Sequence, residues 1–127
     1  MRIFLLQHGL TDLHTHFYSE TLGWIDVLRR RNLAHRIFVH QDADATIVEG
    51  CGAELVFPHV SGARTTKVPA TDKLNSFLRF SEGCAAFADD LTADDVVFVA
   101  FATERELFGT ACWLATVPKT RRLRIVI

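Results

Sequence analysis

The sequence predicts a three-layer α/β/α domain built on an open, doubly wound parallel sheet, with about five strands in the order 3-2-1-4-5. Three observations carry that expectation. Short apolar runs (RIFLLQ, RIFVHQ, AELVF, DVVFVAFA and RLRIVI) recur along the chain and read as strands. Segments with helical spacing of apolar residues separate most of them. No Asn-Gly hairpin signal joins any two of the runs, so crossovers through helices are expected to align the strands in parallel.

The elements follow in order. Arg2 to Gln7 holds the continuous apolar run Ile3 to Leu6, as a strand covered on both faces would. A polar loop is expected over 8–16, and then a helix with Ser19 as N-cap and Glu20 in its first turn. Leu22, Ile25 and Leu28, with Trp24 and Val27 beside them, form its apolar stripe, Arg29, Arg30 and Arg31 suit its C-terminal dipole, and Asn32 stops it. A second strand is expected over 36–41, a short helix over 42–49 ended by Gly50 and Gly52, and a third strand over 53–57 ended by Pro58. A loop over 59–70 precedes a long helix over 72–89 capped by Thr71, with Leu74, Phe77, Leu78, Phe80, Cys84 and Phe87 at near-helical spacing. Residues 95–102 read as the clearest buried strand. Thr103 and Glu106 have capping-box spacing and open a helix with Leu107, Ala111 and Leu114 along one side, ended by Pro118. A fifth strand is expected over 122–127.

Composition bounds the function. The 127 residues make one ordinary domain, and 49% apolar with 23% charged residues excludes intrinsic disorder. Fourteen Lys and Arg against fifteen Asp and Glu leave a net charge of −1, without the basic excess that nucleic-acid binding needs. No apolar run approaches the ~20 residues of an integral membrane segment. The opening MRIFLLQHG is too short for a signal peptide. Cys51, Cys84 and Cys112 are odd in number and lack a close pair, which argues against a disulfide framework and a zinc ribbon and points to the cytoplasm. Cys84 and Cys112 read as buried, and Cys51, between two glycines, as a turn residue in preference to a reactive thiol.

In a doubly wound sheet a ligand sits beyond the carboxyl ends of the strands, where the strand order reverses. That rule selects the loops after strands one and four. The first holds His8, Gly9, Asp12, His14 and His16, and the second holds Thr103, Glu104 and Arg105 at a helix N-terminus able to receive an anion. His40 to Asp42, and Arg64 to Lys67, are expected beside them. Neither G-x-G-x-x-G, a P-loop nor G-x-S-x-G is present, which disfavours a dinucleotide site, a nucleotide P-loop and a hydrolase elbow.

Two short motifs carry local resemblances. Gln7-His8-Gly9-Leu10-Thr11 resembles the Arg-His-Gly-x-Thr of histidine phosphatases, with Gln7 where the phosphate-binding arginine would stand. Asp12-Leu13-His14-Thr15-His16 resembles the Asp-x-His-x-His of amidohydrolases, and on an extended strand it would turn two imidazoles toward one metal ion. Those enzymes use a (β/α)₈ barrel, and His35, His40 and His59 lack the spacing of further ligands.

Over its whole length the chain resembles the N-terminal Rossmann-like domain of two-domain (GT-B) glycosyltransferases. The residues that carry this are the opening MRIFLLQHG, the helix ending Val27-Leu28-Arg29-Arg30-Arg31-Asn32, strand two as Ala34 to His40, the run Asp95 to Val99 followed by Thr103 to Leu107, and Arg124 to Ile127. Asn32 stands where that family usually has glycine, and the loop after strand one carries His and Asp in place of a glycine-rich turn. The resemblance implies that residues 1–127 are the acceptor-side half of a longer protein. It implies transfer of a sugar from a nucleotide-sugar donor, held by a second domain, to an acceptor hydroxyl, without a resident metal or other cofactor. His16 would act as the catalytic base, His8, Gly9, Asp12 and His14 would contact the acceptor, and Thr103, Glu104 and Arg105 would line the opposite wall. The alternatives are a stand-alone, non-catalytic binding module, pairing with a partner or a second copy through an exposed edge strand, and a metal-dependent hydrolase using Asp12, His14 and His16.

Overall fold

The computed structural model describes residues 1–58 and 69–127. The expectations placed on Arg64 to Lys67 and on His59 lie outside the described residues. Five strands form one parallel sheet: β1 (Arg2–Gln7), β2 (Ala34–His40), β3 (Ala53–Phe57), β4 (Val96–Val99) and β5 (Arg124–Val126), in the order β3-β2-β1-β4-β5. Four helices, α1 (His16–Arg30), α2 (Ala45–Cys51), α3 (Pro69–Ala85) and α4 (Glu104–Thr116), complete a Rossmann-like arrangement of the expected strand order.

Two cores lie on the two faces of the sheet. Leu5, Ile37, Val39 and Ala53 pack under Ile25 of α1 and Ile47 of α2. Phe4, Leu6, Phe38, Val97 and Val99 pack under Phe80 and Cys84 of α3 and Trp113 of α4. The alternation follows from the two-residue period of a strand, with both faces covered by helices. On the second face the rings of Phe4, Phe38 and Phe87 are in contact, with Phe38 and Phe87 stacked at 4.5 Å between centroids. The β2–β3 register slips between Val39 and His40. Phe57 therefore joins the same core as Val56, although neighbours on a regular strand face opposite ways.

Several boundaries differ from expectation for local reasons. Ser19 is not a cap: α1 begins after the extended Thr15, and the Ser19 hydroxyl donates to the His16 carbonyl inside the first turn at 2.9 Å. Asn32 does stop the helix, in the left-handed region at φ 56°, which asparagine tolerates better than most residues. The Asn32 N–H donates to the Arg29 carbonyl and the Leu33 N–H to the Leu28 carbonyl, a Schellman closure. Gly50 lies within α2, whereas Gly52 ends it at φ 63°. Asp44 caps α2 by accepting from the Thr46 N–H at 2.8 Å. Thr71 falls inside α3, which opens at Pro69, a residue suited to a first helical position. The helix ends at Ala85, and a 3₁₀ turn over Ala88–Asp90 replaces its expected last turn. β4 is half as long as expected because Asp95 belongs to the preceding turn and Phe101 reverses the chain at φ 58°. The three cysteines are free; Cys51 is a buried core residue at the end of α2 and not a turn residue, and Cys112 is half-buried. Burial pushes the Cys51 and Cys84 thiols up, which suits packing and not reactivity.

A polar clamp closes the sheet at the end away from the candidate site. Buried Asp95 accepts from the Arg2 backbone N–H at 2.7 Å, the Arg2 guanidinium at 2.7 Å, and the Thr92 N–H and hydroxyl. Arg36 bridges Glu54 and Asp90 across the same end and lies over the Phe4 and Phe38 rings. The Arg2 hydrogen bond, with help from Thr92, holds the Asp95 carboxyl well below the usual range. A carboxyl depressed in the folded state adds stability above its unfolded value and withdraws it as pH falls. Thermal unfolding of Asp95→Asn should therefore be less sensitive to acidification below about pH 4 than that of the parent chain, and less stable at neutral pH.

Glycine permits α3 to lie against the Phe57 ring of β3. A Cβ on Gly83 would lie 2.2 Å from the Phe57 ring. Alanine ordinarily stabilises a helix interior over glycine by roughly 0.5–1 kcal/mol, but overpacking a core costs roughly 1–3 kcal/mol. Gly83→Ala should therefore lower the urea midpoint, and an unchanged or higher midpoint would contradict this packing.

Candidate functional site

The sheet's strand order reverses between β1 and β4, so the crevice beyond their carboxyl ends is the place to look. β1 changes there from apolar to polar residues without leaving the interior. Gln7 is 1% exposed and His8 5%. The Gln7 carbonyl accepts from the Leu10 N–H at 3.2 Å, and buried Leu10 pins the returning loop to the core beneath α1 and α2. The Thr11 carbonyl accepts from the Asp44 N–H at 3.0 Å, joining this loop to the start of α2.

His8 meets the carboxylate of Glu106. Its Nδ1 lies 3.2 Å from Glu106 Oε1. Glu106 is in the first turn of α4, where its other oxygen accepts from the Thr103 backbone N–H at 2.9 Å and from the Thr103 hydroxyl. The capping box expected from the sequence thus forms, and the same carboxylate also serves His8. Burial pushes the Glu106 carboxyl up, but the hydrogen bonds from His8 and Thr103 outweigh it and bring the carboxyl down to about 2. A carboxylate facing Nδ1 selects the tautomer with its proton there and leaves a lone pair on Nε2. The His8 ring sits edge-on to Phe57, Phe80 and His40, with centroids 5.4 to 5.7 Å away. Among the described residues its Nε2 is buried with no hydrogen-bond partner, as are both carboxamide atoms of Gln7 and the hydroxyl of Thr110, one helical turn beyond Glu106.

The remaining expected residues divide into groups. Asp12 Oδ1 accepts from the His14 N–H at 2.8 Å, and the Thr15 hydroxyl donates to the Asp12 carbonyl. This Asx turn replaces the extended strand that would have turned His14 and His16 to one side. Among the described residues no three His, Cys, Asp or Glu side chains gather as metal ligands would. His14 is exposed, and His16 opens α1 with its ring 4.1 Å from Phe17 and 5.4 Å from Phe101. Gly9 is where a side chain would collide with Phe17, whose ring would lie 2.9 Å from a Cβ there. The α4 N-terminus expected to receive an anion is already supplied with the Glu106 carboxylate. Glu104 pairs with Lys73 at 3.1 Å, and Arg105 donates to the Ser76 hydroxyl at 2.5 Å, so both engage α3.

Three contributors escape sequence reasoning. Glu106 is legible only as a capping residue, because its second role depends on β1 and β4 being neighbours. Gln7 is legible only as the end of a strand. Phe101 gives no local signal for its left-handed backbone, which costs a bulky residue about 1–2 kcal/mol.

Replacing Glu106 by Gln removes the charged partner of a buried imidazole and should cost roughly 1–3 kcal/mol at neutral pH. The Glu106 carboxyl is depressed in the folded state, so its contribution is complete above the ordinary value of 4.5 and fades as pH falls toward about 2. Urea unfolding should therefore show the gap between parent and Glu106→Gln narrowing in acid, and a gap independent of pH would refute the pairing.

No protein-family model, curated protein or solved structure matches the chain.

Proposed function

We propose that the chain is the acceptor-side domain of a glycosyltransferase, with the His8–Glu106 pair at its reacting centre. The observation that carries this reading is an imidazole at the strand-order reversal with Nδ1 on a buried carboxylate and Nε2 unpartnered. That arrangement suits a general base. An acceptor hydroxyl would give its proton to Nε2 as its oxygen bonds to the anomeric carbon of a nucleotide sugar, while the bond to the nucleoside diphosphate breaks. Glu106 would stabilise the imidazolium that forms. A carboxylate partner favours His8 over His16 for this role and leaves His16, Asp12 and His14 as rim contacts for the acceptor. The His8 ring is covered by its neighbours, so the reading requires the acceptor to part them. The donor's diphosphate would be held by a further domain, as the family resemblance implies.

The product of the complete reading frame should transfer sugar from at least one member of a panel of nucleotide sugars. His8→Asn should lower kcat by about 10²–10⁴-fold, the usual share of a general base, with a smaller effect from His16→Asn. The absence of transfer from every donor, or full activity in His8→Asn, would sink the proposal.

A second reading, a stand-alone binding module that associates through a sheet edge, draws on β5. Among the described residues it pairs only with β4, and its Val126 is half exposed. Light scattering on the 127-residue chain separates the two readings, since the module requires a dimer or a stable complex.

A further inference from the structure

We infer that His16, Phe17 and Phe101 form a stacking platform for a ring-bearing ligand at the mouth of the crevice. This deepens the sugar-transfer reading, on which it rests for the identity of that ligand as the acceptor.

Phe101 is 39% exposed, yet its backbone is held at φ 58°. A large side chain in that region is uncommon and marks either strain with a purpose or a ring fixed by its surroundings. The ring meets Phe17 edge-to-face at 5.1 Å and 87°, and His16 at 5.4 Å and 74°. Phe17 lies directly on Gly9, the residue after His8. The exposed aromatic surface is thus continuous with the loop that bears the candidate base. Phe101 also stands two residues before Thr103, which caps the helix carrying Glu106.

A second observation points to a ligand at the same place. Gln7, at the end of β1 and on the α1 side by the alternation of that strand, buries a carboxamide whose donor and acceptor are both unpartnered among the described residues. An aromatic rim on the same face as a buried carboxamide without partners suits a molecule with one flat apolar face and hydroxyls on its edge. A pyranose ring has that chemistry, and so does a hydroxylated aromatic ring.

Two probes separate those sources: methyl β-glucopyranoside for the sugar ring and phenol for the aromatic ring. Each is titrated into the isotope-labelled chain while the amide resonances of His16, Phe17 and Phe101 are followed. At least one probe should shift all three, and the one that does identifies the ring class. Phe101→Gly should weaken that binding about tenfold, and Phe101→Trp should preserve it within about threefold. Because glycine accepts the left-handed backbone, Phe101→Gly should melt within a few degrees of the parent or above it. Failure of both probes, undiminished binding in Phe101→Gly, or a large loss of thermal stability in that variant would overturn the platform. Binding without sugar transfer by the full reading frame would leave the platform standing and remove the transferase reading, since the titration needs no donor.

Discussion

β1 has no side open to water in its middle. Phe4 and Leu6 face the helices α3 and α4, Leu5 faces α1 and α2, and β2 and β4 take up its two edges. A strand in that position must be apolar on both faces and must lie at the centre of the strand order. Its far end is then the one place where the chain emerges between two sets of helices at the reversal in strand order. The architecture and the location of the candidate site are consequences of the same buried strand.

The polar residues that end β1 remain buried. An imidazole in the interior requires partners, and His8 takes one from Glu106 on the opposite side of the reversal. Glu106 is already committed to the α4 N-terminus through Thr103, so one carboxylate closes a helix, orients a ring and ties β1 to the helix that follows β4. The orphaned atoms of Gln7, His8 and Thr110 stand out against this economy of partners. Buried polar groups are nearly always satisfied in folded proteins, and exceptions concentrate where a ligand or a reaction supplies the missing contact.

At the opposite end of the sheet the chemistry is complete. Asp95 gathers the Arg2 guanidinium and backbone with Thr92, and Arg36 joins Glu54 to Asp90. These bonds fix the start of β1 against β4 and leave no orphaned atom on Asp95. The contrast between a satisfied end and an unsatisfied one within a single sheet sets the candidate site apart from ordinary structural polarity.

The strand runs, their parallel order and the end of α1 at Asn32 were legible in the chain, because each rests on local spacing or on a rule of connection: apolar runs covered on two faces, helices between them, and a residue tolerant of the left-handed region. The reversal in strand order also marked the loops after β1 and β4 as the place for a site. Ser19 and Thr71 misled because a cap is chosen by where the helix axis must dock, and the Ser19 hydroxyl serves equally well inside a first turn. Asp95 and Phe101 shortened β4 for the same kind of reason: a long-range hydrogen bond from Arg2 and a left-handed turn have no local signature. The pairing of His8 with Glu106, and the slip in β3 that brings Phe57 against the His8 ring, join residues many positions apart in the chain. Spacing along one element cannot encode a contact between two elements, so these features exist only once the sheet has brought its strands side by side.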